Sequence, residues 1–293
     1  MKVIIYNIFF RSIYYFLNFI NPIIKIRLLQ IETYAIGHMS QPLEIHLNEK
    51  KLNIIDKNLF DIYFPTKEVC NLFLWHKYRK VMNIIMPDKI LRFIFEPIFR
   101  IALKKNNQNM LIPFRHHANN LAKKNINIIW QAQDVNGVLE KTDPTISFTK
   151  DEENKGYDFF KKNNIFENDK IILLISRDPK YRHLNSNGKV GLNYTYRDQD
   201  VNIFKEAVEH LCSLNYKVIR MGRDMEKKLD VQHPNFFDYA FSNQRSDFLD
   251  IFLIKACYFA ISTGTGLDNV CSLFRKKILL INHGDLILMN YLN

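Results

Sequence analysis

Three stretches of this chain carry residues whose chemistry suits a diphosphate. Ser176-Arg177-Asp178 follows the apolar run Ile171 to Ile175, and Arg220-Met221-Gly222 closes the run that begins at Tyr216. Ser262-Thr263-Gly264-Thr265-Gly266-Leu267 follows the run Cys257 to Ile261. A guanidinium holds phosphate oxygens through paired N–H donors and stays charged. A Gly-rich turn that opens a helix offers backbone N–H groups and the positive end of the helix dipole. Ser262, Gly264, Thr265 and Gly266 are the candidate donors of that turn, with Arg177, Arg220 and Gly222 beside them. The turn departs from the dinucleotide pattern G-x-G-x-x-G, because Asn269 stands where the third Gly belongs. A plainer reading is also open. The glycines then only let a strand turn into a helix, and Arg177 and Arg220 pair with Asp178, Asp238 or Asp250 as structural ion pairs.

Elements of alternating type must position these residues. Strands are expected at Ile171–Ile175, Tyr216–Met221, Cys257–Ile261 and Ile278–Ile281, each apolar on both faces. Helices are expected at Val201–Leu214, Asp247–Ala256 and Leu267–Phe274, and one opens at a capping box, Thr149 with Glu152. Short connections between strands and helices imply a parallel α/β sheet, whose ligands sit at the carboxyl ends of the strands.

The first half is less regular. Leu29–Ile36 reads as a strand running into Gly37-His38-Met39, and Leu43–Leu47 opens a helix or a second strand. Asp61–Phe64 is a short strand ended by Pro65. Val69–Met86 and Asp88–Leu103 are helical, with Pro97 a kink or stop in the second. Asn127–Gln131 is another strand, and residues 132–150 form a linker. His38, at a strand end, is a candidate general base, since imidazole titrates near neutrality; Asp178 is the alternative. His116-His117 beside Arg115 either lines an acceptor site or is solvated.

Residues 1–28 contain no acid, and Arg11 and Ser12 interrupt their apolar run. As a helix, this segment puts Asn7, Arg11 and Asn18 on one narrow stripe amid an apolar wheel. Such a helix suits a membrane interface or burial against the first domain.

The 293 residues, 47% of them hydrophobic, suffice for about two domains. We divide them as helix 1–28, first domain 29–150 and second domain 151–293. Lys plus Arg number 41 against 30 acids, a net +11. The lysines are scattered, so most of that charge follows a Lys-, Asn- and Ile-rich composition. Cys70, Cys212, Cys257 and Cys271 form no C-x-x-C, which speaks against a zinc site and for a reducing compartment. Asp198-Gln199-Asp200 is a lone D-x-D, and Asp200 is placed to cap the helix from Val201.

Ser176-Arg177-Asp178 with Tyr181, Asn193 to Asp200 with Arg197, Val218 to Gly222, Asp238-Tyr239-Ala240, and Arg245 to Leu253 form an ordered series ending in the Ser-Thr-Gly-Thr-Gly-Leu turn. This series resembles a group of bacterial glycosyltransferases associated with surface-polysaccharide synthesis, and Gly37-His38-Met39 is similar to its first motif. The resemblance covers about residues 30 to 282. Ser176 stands where the group usually has His, so no role passes to that position. The resemblance implies a GT-B fold of two Rossmann-like domains, the second binding the nucleotide-sugar. Arg177 looks like the diphosphate-binding arginine of fucosyltransferase-type enzymes. The implied site comprises His38, Arg177 and Asp178 for catalysis. Tyr181, Arg197, Arg220, Gly222, Arg245, Asp247, Asp250 and the turn would bind the donor, with no metal and no further cofactor. The implied partners are a nucleotide-sugar donor and a glycan or lipid-linked acceptor, in the cytoplasm or at the inner membrane face. GT-B folds usually continue beyond a point matching Asn282, so an inactive nucleotide-binding or scaffold homologue is the second expectation. A nucleic-acid-binding protein, suggested by charge alone, is the third.

Overall fold

A computed structural model describes residues 2–56, 58–111, 134–180 and 198–282, with side chains from Tyr6 onward. The chain divides into two compact units, Met1–Ile146 and Ser147–Met289. Both are α/β with parallel sheets.

In the first unit, α1 (Lys2–Ile24) leads almost directly into β1 (Ile26–Ile31). Lys25 makes the join in a left-handed conformation, φ 39°. Helix α2 (Ile36–Lys51), β2 (Phe60–Pro65), α3 (Leu72–Val81) and α4 (Asp88–Lys104) follow. A short α5 (Val138–Lys141) comes after residues 112–133. Strands β1 and β2 are parallel, with Arg27 opposite Asp61 and Leu28 opposite Ile62. Helices α1 and α4 bury Phe10, Tyr14, Leu91, Ile98 and Phe99 in one cluster with Leu28 and Phe64.

Two expectations are corrected here. The strand read as Leu29–Ile36 starts and ends earlier, because Ala35 already serves as N-cap of α2. Gly37-His38-Met39 therefore forms the first turn of a helix. Pro97 does not stop α4, which continues to Lys104. The strand Asn127–Gln131 and the Arg115–His117 group lie outside the described residues.

The second unit is built on a five-stranded parallel sheet of order β5-β4-β3-β6-β7. Its strands are β3 (Ile171–Ile175), β4 (Lys217–Met221), β5 (Phe236–Phe237), β6 (Phe259–Ser262) and β7 (Lys277–Leu280). Strand β3 is central and its five aliphatic residues are all buried. At ~1.5–3 kcal/mol for each such side chain, that strand alone contributes on the order of 10 kcal/mol of burial. Period-two alternation divides the layers. Ile172, Leu174 and Val218 pack under a 3₁₀ turn (Val201–Phe204) and α7 (Lys205–Ser213). The other face meets α6 (Lys150–Lys162) and α8 (Asp247–Ala256) through an aromatic layer that includes Phe159, Phe160, Tyr239 and Phe252. Gly156 of α6 sits flat against the Phe252 ring, and a Cβ there would lie 2.1 Å from it. Helix α9 (Gly266–Leu273) follows β6.

The capping box at Thr149 and Glu152 forms as expected. Among the described residues, no helix is long and apolar enough to cross a membrane. The four cysteines are free. Burial pushes the thiols of Cys212 and Cys257 up to about 11, which keeps them protonated.

Candidate functional site

The strand order turns around between β3 and β6. From β3 the chain runs outward through β4 to β5, and from β6 outward to β7. The carboxyl ends flanking such a reversal are where open α/β sheets receive ligands. Arg177 and the Gly-rich turn meet at this point. The Arg177 backbone N–H donates to Thr263 Oγ1 at 2.8 Å, and Thr263 N–H donates to Ile175 O at 3.1 Å. The Arg177 side chain is 22% exposed, with its Nε 3.4 Å from Asp198 Oδ1.

The turn itself is closed on the inside. Gly264 takes the left-handed conformation, φ 82°, that bends the chain. Its N–H donates to Ser262 Oγ, the Thr265 N–H to Asp268 Oδ2 at 2.8 Å, and the Leu267 N–H to Thr265 Oγ1. The Ser262 hydroxyl donates to Asp268 Oδ1. Thr265 and Asp268 thus form a capping box, and a buried carboxylate sits at the helix N-terminus where an anion is favoured. Gly266 contributes no donor to this network. Asp268 was legible in the sequence, since Thr265-x-x-Asp268 is the spacing of that box.

Arg220 departs from the expected diphosphate grip. It lies on the α7 face of the sheet, beside Leu174 in register, and is 1% exposed. Its Nη1 donates to Lys227 O at 2.6 Å and to Asp238 Oδ2 at 3.1 Å, and its Cζ stands 5.4 Å from the Phe241 ring centre. The physical reason is the mid-strand position: residue 220 lies one step before the strand end, so its side chain enters the layer between sheet and helix. This is the structural ion pair with Asp238 that the sequence left open.

Asp178 is likewise committed. Its Oδ1 accepts from Lys180 N–H and its Oδ2 from Glu226 N–H, both at 2.9 Å. A carboxylate that clasps two main-chain donors ties the end of β3 to the loop after β4. Gly222 begins that loop at φ 156°, and a Cβ there would run into Met225. Asp200 caps the 3₁₀ turn, accepting from Asn202 N–H at 3.0 Å, and pairs with Lys227 at 2.8 Å.

Arg245 and Asp250 do come together. Arg245 Nη2 donates to Asp250 Oδ2 at 2.7 Å, and the Tyr239 hydroxyl donates to Asp250 Oδ1 at 2.9 Å. Burial pushes the Asp250 carboxyl above its usual range, while Arg245 pulls the other way. Asp247 opens α8 one residue after its Ser246 cap. Tyr181 and Arg197 lie outside the described residues.

In the first unit His38 stands in the first turn of α2, with Nδ1 2.7 Å from Glu32 Oε2 at the end of β1. The Glu32 carboxylate is buried, and Tyr34 OH lies 3.4 Å from the same oxygen. Glu32 was not legible as a partner, because the strand was expected to run through it. The same unit holds a second cluster that sequence reading missed. Asp61 accepts two bonds from Arg27, at 2.7 and 3.0 Å, and one from Lys50 at 2.7 Å. His46 Nε2 and Tyr63 OH stand 3.1 and 3.2 Å from it. Burial opposes the Asp61 charge, yet the bonds from His46, Arg27 and Lys50 hold its carboxyl far below the usual range. Burial holds the His46 imidazole below its usual range, against the pull of Asp61.

No protein-family model and no curated protein matches this chain. Among solved structures, the chain is similar to a glycosyl transferase family 9 protein from Veillonella parvula DSM 2008. Identity is 13%, over 86% of this chain and 79% of that one, at a TM-score of 0.43. It is also similar to the E. coli ADP-heptose lps heptosyltransferase II, at 10% identity over 86% and 83% of the chains and a TM-score of 0.43.

Proposed function

We propose that this chain is a glycosyltransferase that takes a sugar from a nucleotide-diphosphate donor and passes it to a glycan or lipid-linked acceptor. The observation that carries the reading is Arg177 at the reversal point of a parallel sheet, hydrogen-bonded through its backbone to a Gly-rich turn. The motif series that resembles bacterial glycosyltransferases supplies the reaction class. In this reading the Arg177 guanidinium neutralises the diphosphate as its bond to the sugar carbon breaks. Arg245, held by Asp250, is the second cation on that unit. His38 takes the proton of the acceptor hydroxyl, and Glu32 stabilises the imidazolium that forms. Guanidinium charge stands in for a divalent cation, so transfer is metal-independent. The donor places the protein on the cytoplasmic side of the membrane.

Thermal unfolding in the presence of each nucleoside diphosphate tests the donor half, because a ligand of the native state must stabilise it. One base should raise the melting temperature, and Arg177→Ala should erase the shift. No shift with any base overturns the reading. Turnover should survive EDTA, and full loss there would refute the metal-free step. His38→Gln should lower turnover about a hundredfold or more while nucleotide affinity stays.

Asp268 favours a second reading, a homologue that binds nucleotides weakly or not at all, because its carboxylate occupies the turn's own donors. Calorimetry separates the two: binding without turnover, or no binding, supports this alternative.

A further inference from the structure

We infer that α1 and α4 together form a docking face for an anionic phospholipid bilayer. Helix α1 has two apolar sides. Phe10, Tyr14 and Leu17 turn into the core with α4. Ile8, Tyr15, Phe16, Phe19 and Ile23 fall on the opposite side of the wheel and stand in solvent, with Phe19 79% and Ile23 83% exposed. Exposed aromatic and aliphatic side chains in one row along a helix are the anchor of an interfacial helix, and single scattered ones are not.

The flank of this row is basic. Between α1 and α4 runs a groove of about 900 Å³, and Arg11, Lys89, Arg92, Arg100, Lys104 and Lys105 line it. Glu96 is the acid among its lining residues, and it is paired with Arg100. Asn7 and Arg11 of the polar stripe turn toward the groove, and Tyr15 belongs to both the groove and the apolar row. On the α4 rim Phe93 is 62% exposed. Arg92 Nε is buried and makes no hydrogen bond among the described residues. A row of apolar side chains beside a cationic groove matches the layering of a bilayer surface, acyl chains next to phosphate headgroups. At about 35 Å, α1 is long enough to span a bilayer. One of its sides is already buried in the protein, however, so it lies along the surface. Nucleic acid fits less well, because a row led by Ile8, Phe16, Phe19 and Ile23 would stay in water.

Vesicle flotation of the full chain tests this. Vesicles of pure phosphatidylcholine are compared with vesicles containing about a third phosphatidylglycerol, at low and high salt. The chain should float with the anionic vesicles at low salt and release at high salt. Phe16→Ser with Phe19→Ser should weaken partition at least tenfold. Lys104→Gln with Lys105→Gln should weaken it about fivefold per charge. All four residues are exposed, so circular dichroism should show wild-type melting. No flotation on anionic vesicles overturns the proposal. Equal flotation on neutral vesicles, salt-reversed binding of an oligonucleotide without flotation, or a dimer abolished by Phe16→Ser with Phe19→Ser each overturns it as well. No readout depends on sugar transfer, so a failed glycosyltransferase assay leaves this result standing.

Discussion

Arg220 and Arg177 leave neighbouring strands of one parallel sheet, yet their surroundings differ in kind. Arg220 is sealed between sheet and α7, with a carboxylate, a carbonyl and an aromatic ring around it. Arg177 stands two residues past its strand, partly open to water, with Asp198 at 3.4 Å. Removing a cation that is sealed and hydrogen-bonded in the interior costs more than removing one that reaches water and holds its carboxylate at a longer distance. The first arginine belongs to the fold, and the second keeps part of its side chain in contact with water.

Four substitutions or conditions break or sharpen that contrast. The largest effect is expected from Arg220→Met, which leaves the largely buried Asp238 without its cation. Urea unfolding should show a loss of about 3 kcal/mol, and an unchanged midpoint would erase the distinction between the two arginines. Next is Arg177→Ala. Nucleoside diphosphate affinity should fall tenfold to a hundredfold by calorimetry, while stability changes by less than about 1 kcal/mol. Third is Asp268→Asn, which removes the charge seated in the turn. Stability should drop by about 1 kcal/mol, and diphosphate affinity should rise, because the ligand no longer competes with a carboxylate for the same donors. Unchanged binding in this variant would mean that the turn takes no part.

The smallest effect is one of pH and belongs to the first unit. His46 stays neutral when folded and protonates freely when unfolded, so acid favours the unfolded chain. Stability should therefore fall as pH drops below ~6.5, by at most about 1.4 kcal/mol per pH unit. Asp61, held below its usual range, adds a second loss below ~3.9. His46→Gln should flatten the upper part of that curve in urea titrations between neutral and mildly acid pH.

Much of the second unit was legible because its sheet is buried on both faces. Uninterrupted aliphatic runs such as Ile171–Ile175 can hardly be anything other than interior strands. Strand β5 was missed: two residues carry no periodicity, and Phe236 and Phe237 are extended only because β4 offers a ladder. The β1 boundary was missed because the turn at Lys25 and the cap at Ala35 leave no composition mark. At the site, the positions of Arg177 and the turn along the chain were readable, but their closure by Asp198 and Asp268 was not used. Glu32 as the partner of His38, and the choice of Asp238 for Arg220 from the three carboxylates left open, are supplied by the path of the backbone in space. A one-dimensional pattern shows both groups and not their meeting.

Asp178 has a consequence of its own. Because one carboxylate clamps the amides of Lys180 and Glu226, the segments leaving two different strands share a single fastener. Whatever reshapes one of them is transmitted to the other without any side chain travelling. Hydrogen–deuterium exchange at those two amides should accordingly quicken in concert when the fastener is undone.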